Sequence, residues 1–476
     1  MTFSSIPFLF YFLPLFLAFY ALAPAKNAAL LAGSLLFYAW GEPVFIVFLL
    51  ASLAGNHFFA RAVAASQSNR MLAAGVALNL AALGWFKYAG FAADTLSGAF
   101  AVAGVDITAH AAPHLPLGIS FYTFQAISLL FDVRRRDAEA PRRFIDTALY
   151  ISMFPQLIAG PIVRYKEIDE QLRQRTHSAE KFASGARLFI LGLAQKALLA
   201  NTFAGAADAA FGAPSEAALS MGAAWLGLAA YSLQIYFDFA GYSNMAIGMG
   251  RMFGFELPRN FNFPYAAQSV TEFWRRWHMT LSRWFRDYLY IPLGGNRGSA
   301  LSTYRNLWIV FLLCGLWHGA AWTFVFWGAW HGAFLVMERA FLSRALAASP
   351  RLLRHLYLPL VVALGWVPFR AESFAGAGEY YAALMGVSAG DYETAVRDIA
   401  PQGFAAILAV GAIIALWPLA RELAAAVSAR LPMMRQRVRN GAVRFVAGQA
   451  WLALLFILCA AMLAGGAYNP FIYFRF

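Results

Sequence analysis

The sequence predicts an all-α protein that crosses a membrane many times, and two observations lead to this fold class. Apolar residues make up 61% of the 476 residues and charged residues only 13%, about half of the roughly 25% usual in soluble domains. A soluble globule could not cover its surface with so few charges. In addition, long apolar stretches alternate with clusters of arginine and lysine, as they do in proteins with several membrane-spanning helices.

Eight apolar stretches are interpreted as full crossings, because a helix needs about 20 residues to span the hydrocarbon core. They lie at 6–22, 71–90, 115–133, 186–203, 221–244, 355–369, 404–420 and 445–466. The first has no basic residue before it, which favours an uncleaved span over a secretory signal.

Three further apolar stretches are interpreted as partial or bent elements. Residues 28–60 are broken at Gly41-Glu42-Pro43, residues 144–163 contain two prolines and a glycine, and residues 306–338 are too long for one crossing and too short for two. Irregular backbone at membrane depth is tolerated only where protein or water surrounds it. No linker or internal repeat is visible, so we expect one integral membrane domain over 1–476.

The charges predict the orientation of the chain. The net charge is +13, and lysine and arginine mark the cytoplasmic side of a membrane protein. The stretches 134–143, 251–305 and 421–444 are strongly basic, the loops 92–114 and 204–217 contain no lysine or arginine, and the loop 371–403 is acidic. The basic stretches are therefore assigned to the cytoplasm and the C-terminal tail 467–476 to the outside. The positive charge needs no nucleic acid partner to explain it.

Several other kinds of chemistry find no support in the motifs. Cys314 and Cys459 lie in apolar stretches without the spacing of a zinc site or a disulfide framework. There is no Walker A motif and no G-x-G-x-x-G loop, and histidine and aspartate are not clustered at metal-ligand spacing. The sequence therefore predicts neither a nucleotide hydrolase, nor a Rossmann enzyme, nor a metal site.

His318 is the clearest candidate for chemistry, because it lies inside an apolar stretch. It follows Asn306 by twelve residues, which places it about 18 Å along a helix, near the middle of a bilayer. Ionisable groups at that depth are costly and are functional candidates by default. A neutral imidazole there could take a proton from a hydroxyl nucleophile. The alternative is a buried histidine that bonds to a backbone carbonyl.

A second cluster comprises Trp274, Arg275, Arg276, Trp277 and His278. Its composition alone favours an amphipathic helix anchored at the lipid headgroups. The functional interpretation is a cationic mouth for an anionic substrate such as a phosphate-rich cofactor.

Three other polar residues lie in apolar stretches. Asp238 is near the inner end of a predicted crossing and could pair with an arginine or a histidine, orient a catalytic histidine, or form a structural buried pair. His331 and Glu338 are seven residues apart and share a helix face, so a local polar contact is expected there.

Motifs spread over nearly the whole chain carry a resemblance to a known family. They are FSS with FLF (3–10), LFYAWGEP (36–43), LGISFYTFQ (117–125), FPQLIAGPIVR (154–164), DFAGYS (238–243), NFNFPY (260–265), FWRRWHMTLS (273–282) and GLWHGA (315–320). Together they resemble the membrane-bound O-acyltransferase (MBOAT) family, and within it the bacterial branch that contains the membrane subunits of alginate O-acetyltransferases. The last motif is similar to the signature of the family's catalytic histidine.

The resemblance implies a fold, a site and a reaction. The fold is a ring of about eleven helices with re-entrant and partial helices and a thinned centre, and the catalytic region lies in a core at 115–340. His318 is implied as the invariant catalytic histidine and His278 as the second histidine of the site. The implied donor is cytoplasmic acetyl-CoA, a substrate and not a permanently bound cofactor, which Trp274, Arg275, Arg276 and Trp277 would bind.

The implied acceptor is an extracytoplasmic polysaccharide, reached from a bacterial inner membrane. An alginate-like exopolysaccharide is favoured, and peptidoglycan or another cell-wall glycan is the alternative. The chain has no hydrolase-like domain, so a separate periplasmic acetyltransferase partner is expected to complete the transfer.

The C-terminal residues 469–476 (NPFIYFRF) resemble the tail of a small partner peptide of D-alanylation systems. We hypothesise that Tyr473 receives the acetyl group, with His318 as the base, and passes it to the periplasmic partner. An aromatic anchor at the membrane interface is an equal alternative.

A function of another class, the export of a lipid or glycan through a basic pore, is also compatible with the composition. Transporters often have paired halves with matching broken helices. No such repeat is visible, and the grouping of residues around His318 is more typical of chemistry than of a transport path.

Overall fold

The structure is a computed structural model that describes residues 2–104, 113–213, 217–388, 392–430, 441–466 and 468–472. The described part is mostly helical and has two strands of three residues. It divides into two compact units. The first comprises Met1–Ala186, Met245–Pro258 and Arg283–Pro292, and the second comprises Arg187–Asn244, Arg259–Ser282 and Leu293–Phe476.

Six helices within the described residues are long and apolar enough to cross a membrane, which confirms the predicted all-α polytopic class. They are Ile46–Ser66, Asn69–Val102, Ala179–Phe211, Ala300–His318, Arg351–Arg370 and Phe445–Ala464. The first predicted crossing is a shorter apolar helix, Pro7–Leu22. The predicted crossing at 404–420 is bent by 86° between Phe404–Ala415 and Trp417–Ala425, where Pro418 has no N–H to continue the hydrogen-bond ladder.

The helices between residues 7 and 194 confirm two predicted interruptions. These helices are Pro7–Phe12, Leu13–Leu22, Lys26–Gly41, Ile46–Ser66, Asn69–Leu83, Gly84–Tyr88, Ala89–Val102, Ile119–Arg135, Phe144–Ser152, Phe154–Leu157, Tyr165–Glu167, Asp169–Arg173 and Ala179–Ala194. The stretch 28–60 breaks after Gly41, and the stretch 144–163 breaks at Met153 and again after Leu157. The Tyr150 hydroxyl donates to the Val163 carbonyl oxygen at 2.8 Å, which satisfies part of this irregular buried backbone.

The rest of the chain includes one helix of 32 residues, Met221–Met252, here called the long helix. The other helices are Gln195–Ala200, Asn201–Phe211, Pro264–Ala266, Val270–Arg276, Met279–Phe285, Arg286–Tyr290, Ala300–His318, Trp322–Met337, Glu338–Leu342, Ser343–Ala348, Arg351–Arg370, Phe374–Leu384, Val396–Ile399, Phe404–Ala415, Trp417–Arg430 and Gly441–Ala464. The strands Ala217–Leu219 and Tyr392–Thr394 pair in parallel, with Ala218 opposite Glu393.

The loop expected at 371–403 is more structured than its sequence suggested. It contains the helix Phe374–Leu384, whose N-cap Ser373 accepts from the Gly376 N–H, and one of the two strands. Hydropathy does not reveal a short amphipathic helix of this kind, because its mean apolarity is diluted by the polar residues around it. The basic residues between 431 and 440 lie outside the described residues.

The stretch 306–338 forms two helices that pack closely and set the position of His318. Ala300–His318 is called here the histidine helix, and it is followed by Trp322–Met337 after a break at residues 319–321. A Cβ atom on Gly315 would lie 2.2 Å from the Phe324 carbonyl oxygen, and one on Gly328 would lie 2.2 Å from that of Phe311. The absence of both side chains lets the two backbones approach, so glycine is required at these positions.

Candidate active site

His318 is the last residue of the histidine helix and is buried inside the second unit, with 3% of its surface exposed. Aromatic rings surround it: the ring centroids of Trp317, Trp327 and Phe369 lie 4.9, 5.0 and 5.4 Å from its own. These rings have no acceptor oxygen, and their packing around His318 leaves little room for water. The site therefore holds an imidazole in a mostly apolar enclosure, at the point where a spanning helix ends.

His278 is fully buried in the same unit and lies 6.3 Å from His318 between ring centroids. It occupies the break between the helices Val270–Arg276 and Met279–Phe285, and its φ of 41° is in the left-handed region. A non-glycine residue in this conformation is costly and is retained only where its surroundings fix it. The structure thus confines His278 to an unusual backbone position beside His318.

Asn260 supplies the contacts that fix this break. Its side-chain oxygen accepts from the Thr280 N–H at 3.3 Å and from the Thr280 hydroxyl at 2.9 Å, and it lies 3.2 Å from Nδ1 of His278. Its backbone oxygen accepts from the Met279 N–H at 2.9 Å. One residue on the preceding loop therefore holds both sides of the turn at His278.

These contacts determine the tautomer of His278. A backbone N–H can only donate, so the Asn260 atom that faces Thr280 must be the oxygen. Nδ1 of His278 meets this same oxygen and must therefore carry a proton. In the neutral imidazole Nε2 then bears the lone pair, and that atom is buried without a hydrogen-bond partner among the described residues. In that form Nε2 is the ring nitrogen that can accept a proton.

The four residues predicted to bind the donor directly precede His278 in the chain but differ in exposure. Trp274 and Trp277 are buried, and the Trp274 ring nitrogen donates to Nδ1 of His331 at 3.4 Å. Arg276 pairs with Glu272 at 2.6 Å, and Arg275 is exposed. An amphipathic helix at the headgroups would leave its tryptophans at the surface, so their burial does not fit that interpretation.

Asp238 forms a structural ion pair, but its partner is of a type that the sequence interpretation did not name. Its carboxylate lies 2.7 Å from the Lys196 ammonium, and both side chains are 1% exposed. The expectation of an arginine or histidine partner was therefore wrong. Lys196 is on a helical turn far from Asp238 in the chain, and no local pattern indicates such a pairing.

His331 and Glu338 also bond outside their own helix. Glu338 accepts from the N–H groups of Val270 and Thr271 at 2.6 and 2.9 Å. Their expected local contact is thus replaced by bonds to the helix that precedes His278. Tyr473 lies outside the described residues.

The resemblance had drawn attention to the motif around Asn260 without giving that residue a role. A polar residue next to two aromatic residues and a proline is a weak signal, and Asn260 was missed as a candidate. Lys196 lies inside the predicted crossing 186–203 and was missed, although an ionisable residue within an apolar stretch is a functional candidate by default.

Comparison with known proteins establishes the family. The sequence profile of the membrane-bound O-acyltransferase family, MBOAT, matches residues 10–374, which is more than half of the chain. This chain belongs to that family. The probable alginate O-acetylase AlgI of Azotobacter vinelandii is 41% identical to it over an alignment of 504 residues that covers both chains in full.

Two further relatives are named for other activities. The peptidoglycan O-acetyltransferase of Helicobacter pylori is 38% identical over 430 residues, covering 82% of this chain and 80% of the relative. The teichoic acid D-alanyltransferase of Bacillus subtilis is 29% identical over 235 residues, covering 44% and 58%. This MBOAT chain is accordingly a multi-pass membrane O-acyltransferase, and its reaction requires an acyl donor and an acceptor.

Proposed function

We propose that this enzyme moves acetyl groups from cytoplasmic acetyl-CoA across a bacterial inner membrane for the O-acetylation of an extracytoplasmic polysaccharide. The observation that carries the proposal is the buried pair of His318 and His278, 6.3 Å apart between ring centroids, in a chain of the MBOAT family. The alginate O-acetylase relative that matches the full chain at 41% identity favours an alginate-like acceptor. The relative at 38% identity makes peptidoglycan the alternative.

His318 acts as the general base in this proposal. Its imidazole takes the proton of an attacking hydroxyl, whose oxygen forms a bond to the thioester carbonyl carbon. The carbon–sulfur bond then breaks, and the imidazolium returns the proton to the departing CoA thiolate. An imidazole can both accept and return a proton, so it suits both transfers, and the apolar rings around His318 keep competing water away from the thioester.

The acceptor that His318 activates is Tyr473 in the same proposal. A separate periplasmic acetyltransferase protein then takes the acetyl group from this ester, so that the bond to the tyrosyl oxygen breaks and the Tyr473 hydroxyl is regenerated, and delivers the group to the polysaccharide. Replacement of Tyr473 by phenylalanine removes the nucleophilic oxygen and keeps the ring. Polysaccharide acetylation in cells that carry Tyr473→Phe would overturn this part and leave the role of His318 untouched.

The donor-binding part rests on the cationic residues before His278. Arg275 is exposed, and Arg276 is joined to Glu272, so Arg275 is the better ligand for the phosphates of CoA. Arg275→Ala should raise the KM for acetyl-CoA several-fold and leave kcat nearly unchanged. An unchanged KM would contradict this assignment.

The decisive experiment uses detergent-purified protein and radiolabelled acetyl-CoA. His318→Ala should lower the release of CoA by about 10²- to 10⁴-fold, the contribution typical of a general base. His355→Ala is the matched control, because this partly exposed histidine of the second unit contacts Arg351. Equal rates in the two variants, with both proteins monodisperse, would remove His318 from the reaction.

A further inference from the structure

The buried ion pair of Lys196 and Asp238 needs more hydrogen bonds than the two side chains give each other. Both are 1% exposed, and the Lys196 ammonium also donates to the side-chain oxygen of Asn201 at 2.9 Å. Transfer of two charges from water to a protein interior is costly unless their remaining donors and acceptors are satisfied. We therefore expect hydrogen-bonding groups from another part of the chain to contact this ion pair.

These groups come from the backbone of the C-terminal segment, residues 468–472. The Lys196 ammonium donates to the Pro470 carbonyl oxygen, and the Ile472 N–H donates to the Asp238 carboxylate at 2.9 Å. The segment up to residue 471 is not helical, so such backbone groups would have no intrahelical partner. The ammonium of Lys196 thus binds a backbone carbonyl oxygen and the carboxylate of Asp238 binds a backbone N–H, both from the same short segment.

Side chains of the second unit contact the same segment. Asn201 donates to the Asn469 side-chain oxygen at 3.1 Å, and the ring of Phe471 lies 4.5 Å from that of Tyr242. Phe471 and Ile472 are 7% and 4% exposed. The amide contact selects a polar residue at 469 and the ring contact an aromatic one at 471, so the site has sequence preference as well as backbone recognition.

Residues that contact the C-terminal segment and a residue that contacts His278 lie on the same stretch of the long helix. Phe239 follows Asp238 directly, and its ring lies 4.6 Å from that of His278. Tyr242 is less than one helical turn further along. The C-terminal segment bonded to Asp238 is consequently next to Phe239, the residue that contacts His278.

We infer that Lys196 and Asp238, with Asn201 and Tyr242, form a binding site for an extended peptide whose occupant is the C-terminal segment of this chain. The pair clamps the backbone at residues 470 and 472 and so positions the chain beside the histidine site for acyl transfer. Lys196 and Asp238 are positioning residues, since they contact the segment and not a reacting atom. This role in transfer rests on the proposed function, whereas the binding of the segment does not.

A cross-linking experiment on the full chain tests the binding without reference to activity. In a background where Cys314 and Cys459 are alanine, Tyr242→Cys and Phe471→Cys are joined by a short bismaleimide, and the yield is read by mass spectrometry. This pair removes the ring contact in every variant compared, so that the ion pair and the Asn201 amide hold the segment. Lys196→Met with Asp238→Leu removes both charges together, a change that buried ion pairs often tolerate. It should lower the yield at least fivefold. Glu338→Gln, which alters a buried carboxylate of the same unit that bonds Val270 and Thr271, should not.

An unchanged yield in the Lys196→Met, Asp238→Leu protein would overturn the inference. If that protein does not fold, Asn201→Ala decides, because it removes the amide bond to Asn469 and leaves the ion pair. It should lower the yield about threefold, and an unchanged yield would again overturn the inference.

Acetyl transfer separates the two proposals. The charge-free variant, without the engineered cysteines, should transfer at least tenfold more slowly and still bind acetyl-CoA. Transfer at the full rate after loss of the cross-link would refute the positioning role and keep the binding site. His318→Ala should abolish transfer with full cross-linking, so failure of the catalytic proposal would leave the peptide site intact.

Discussion

The two buried histidines differ in what holds them. His318 is held by its place at the end of a helix and by the rings around it, whereas His278 depends on one amide side chain. The Asn260 oxygen fixes the proton on Nδ1 of His278, which leaves Nε2 basic. A hydrogen-bonding neighbour that selects a tautomer is the usual way to orient a histidine.

Substitution of Asn260 therefore tests whether His278 must be the neutral Nδ1–H tautomer. Asn260→Asp places a negative charge beside Nδ1 and favours the imidazolium. If Nε2 must be basic, the acidic limb of the pH–rate profile should move to higher pH, with activity recovering as the pH rises. Asn260→Ala should lower the rate by about tenfold or more at every pH, because general acid–base groups contribute about 10²- to 10⁴-fold. A profile that keeps its position in Asn260→Asp would show a merely structural role.

Sequence reasoning predicted which histidines to examine, His318 from its place in an apolar stretch and His278 from the family resemblance, but not how they are held. A histidine inside an apolar stretch is conspicuous, because few ionisable residues occur there. The left-handed backbone at His278 and the role of Asn260 depend on contacts between residues 260 and 280 that no periodic pattern indicates. The sequence thus indicates candidate residues, and the structure gives their backbone conformation and hydrogen-bond partners.

Packing of the helices depends on close approach as much as on apolar surface. The histidine helix and Trp322–Met337 meet where Gly315 faces the Phe324 carbonyl oxygen. A side chain there pushes apart the two helices that fix His318.

A glycine pair tests this dependence. Gly315→Ala introduces a Cβ 2.2 Å from a backbone oxygen and should destabilise the protein by about 1–3 kcal/mol, the usual cost of overpacking. Gly205→Ala is the control, since a Cβ there meets nothing within 4 Å, and it should be neutral or stabilising by up to about 1 kcal/mol. Thermal unfolding in detergent measures both. Equal melting temperatures would contradict a need for glycine at 315.

Sequence reasoning at the level of elements succeeded where backbone chemistry interrupts a helix. Prolines and glycines predicted the breaks in 28–60 and 144–163, because they remove hydrogen bonds or permit sharp turns. The pairing of Lys196 with Asp238 and the helix at Phe374–Leu384 were not predicted. Hydropathy can mark each charged residue within an apolar stretch but not which distant residue it pairs with, and it does not reveal a short helix in a polar loop.

Orientation of the whole chain in the membrane is encoded by its charges. Basic residues are concentrated at 251–305, and the stretch 371–403 contains five acidic residues and one basic residue. Because lysine and arginine are retained on the cytoplasmic side, these two stretches are predicted to face opposite sides. The same rule predicts that Arg275, which we propose binds acetyl-CoA, faces the inside of the cell, where a CoA thioester is available.

Cysteine labelling tests this orientation directly. Met385, 69% exposed, and Ala300, also exposed, are replaced one at a time by cysteine in the protein without Cys314 and Cys459. A membrane-impermeant maleimide should label Met385→Cys in intact spheroplasts, and Ala300→Cys only after the inner membrane is permeabilised. Denatured samples provide the total reactive thiol for each variant. Labelling of Ala300→Cys from outside would reverse the orientation, and with it the side from which the donor must reach His318.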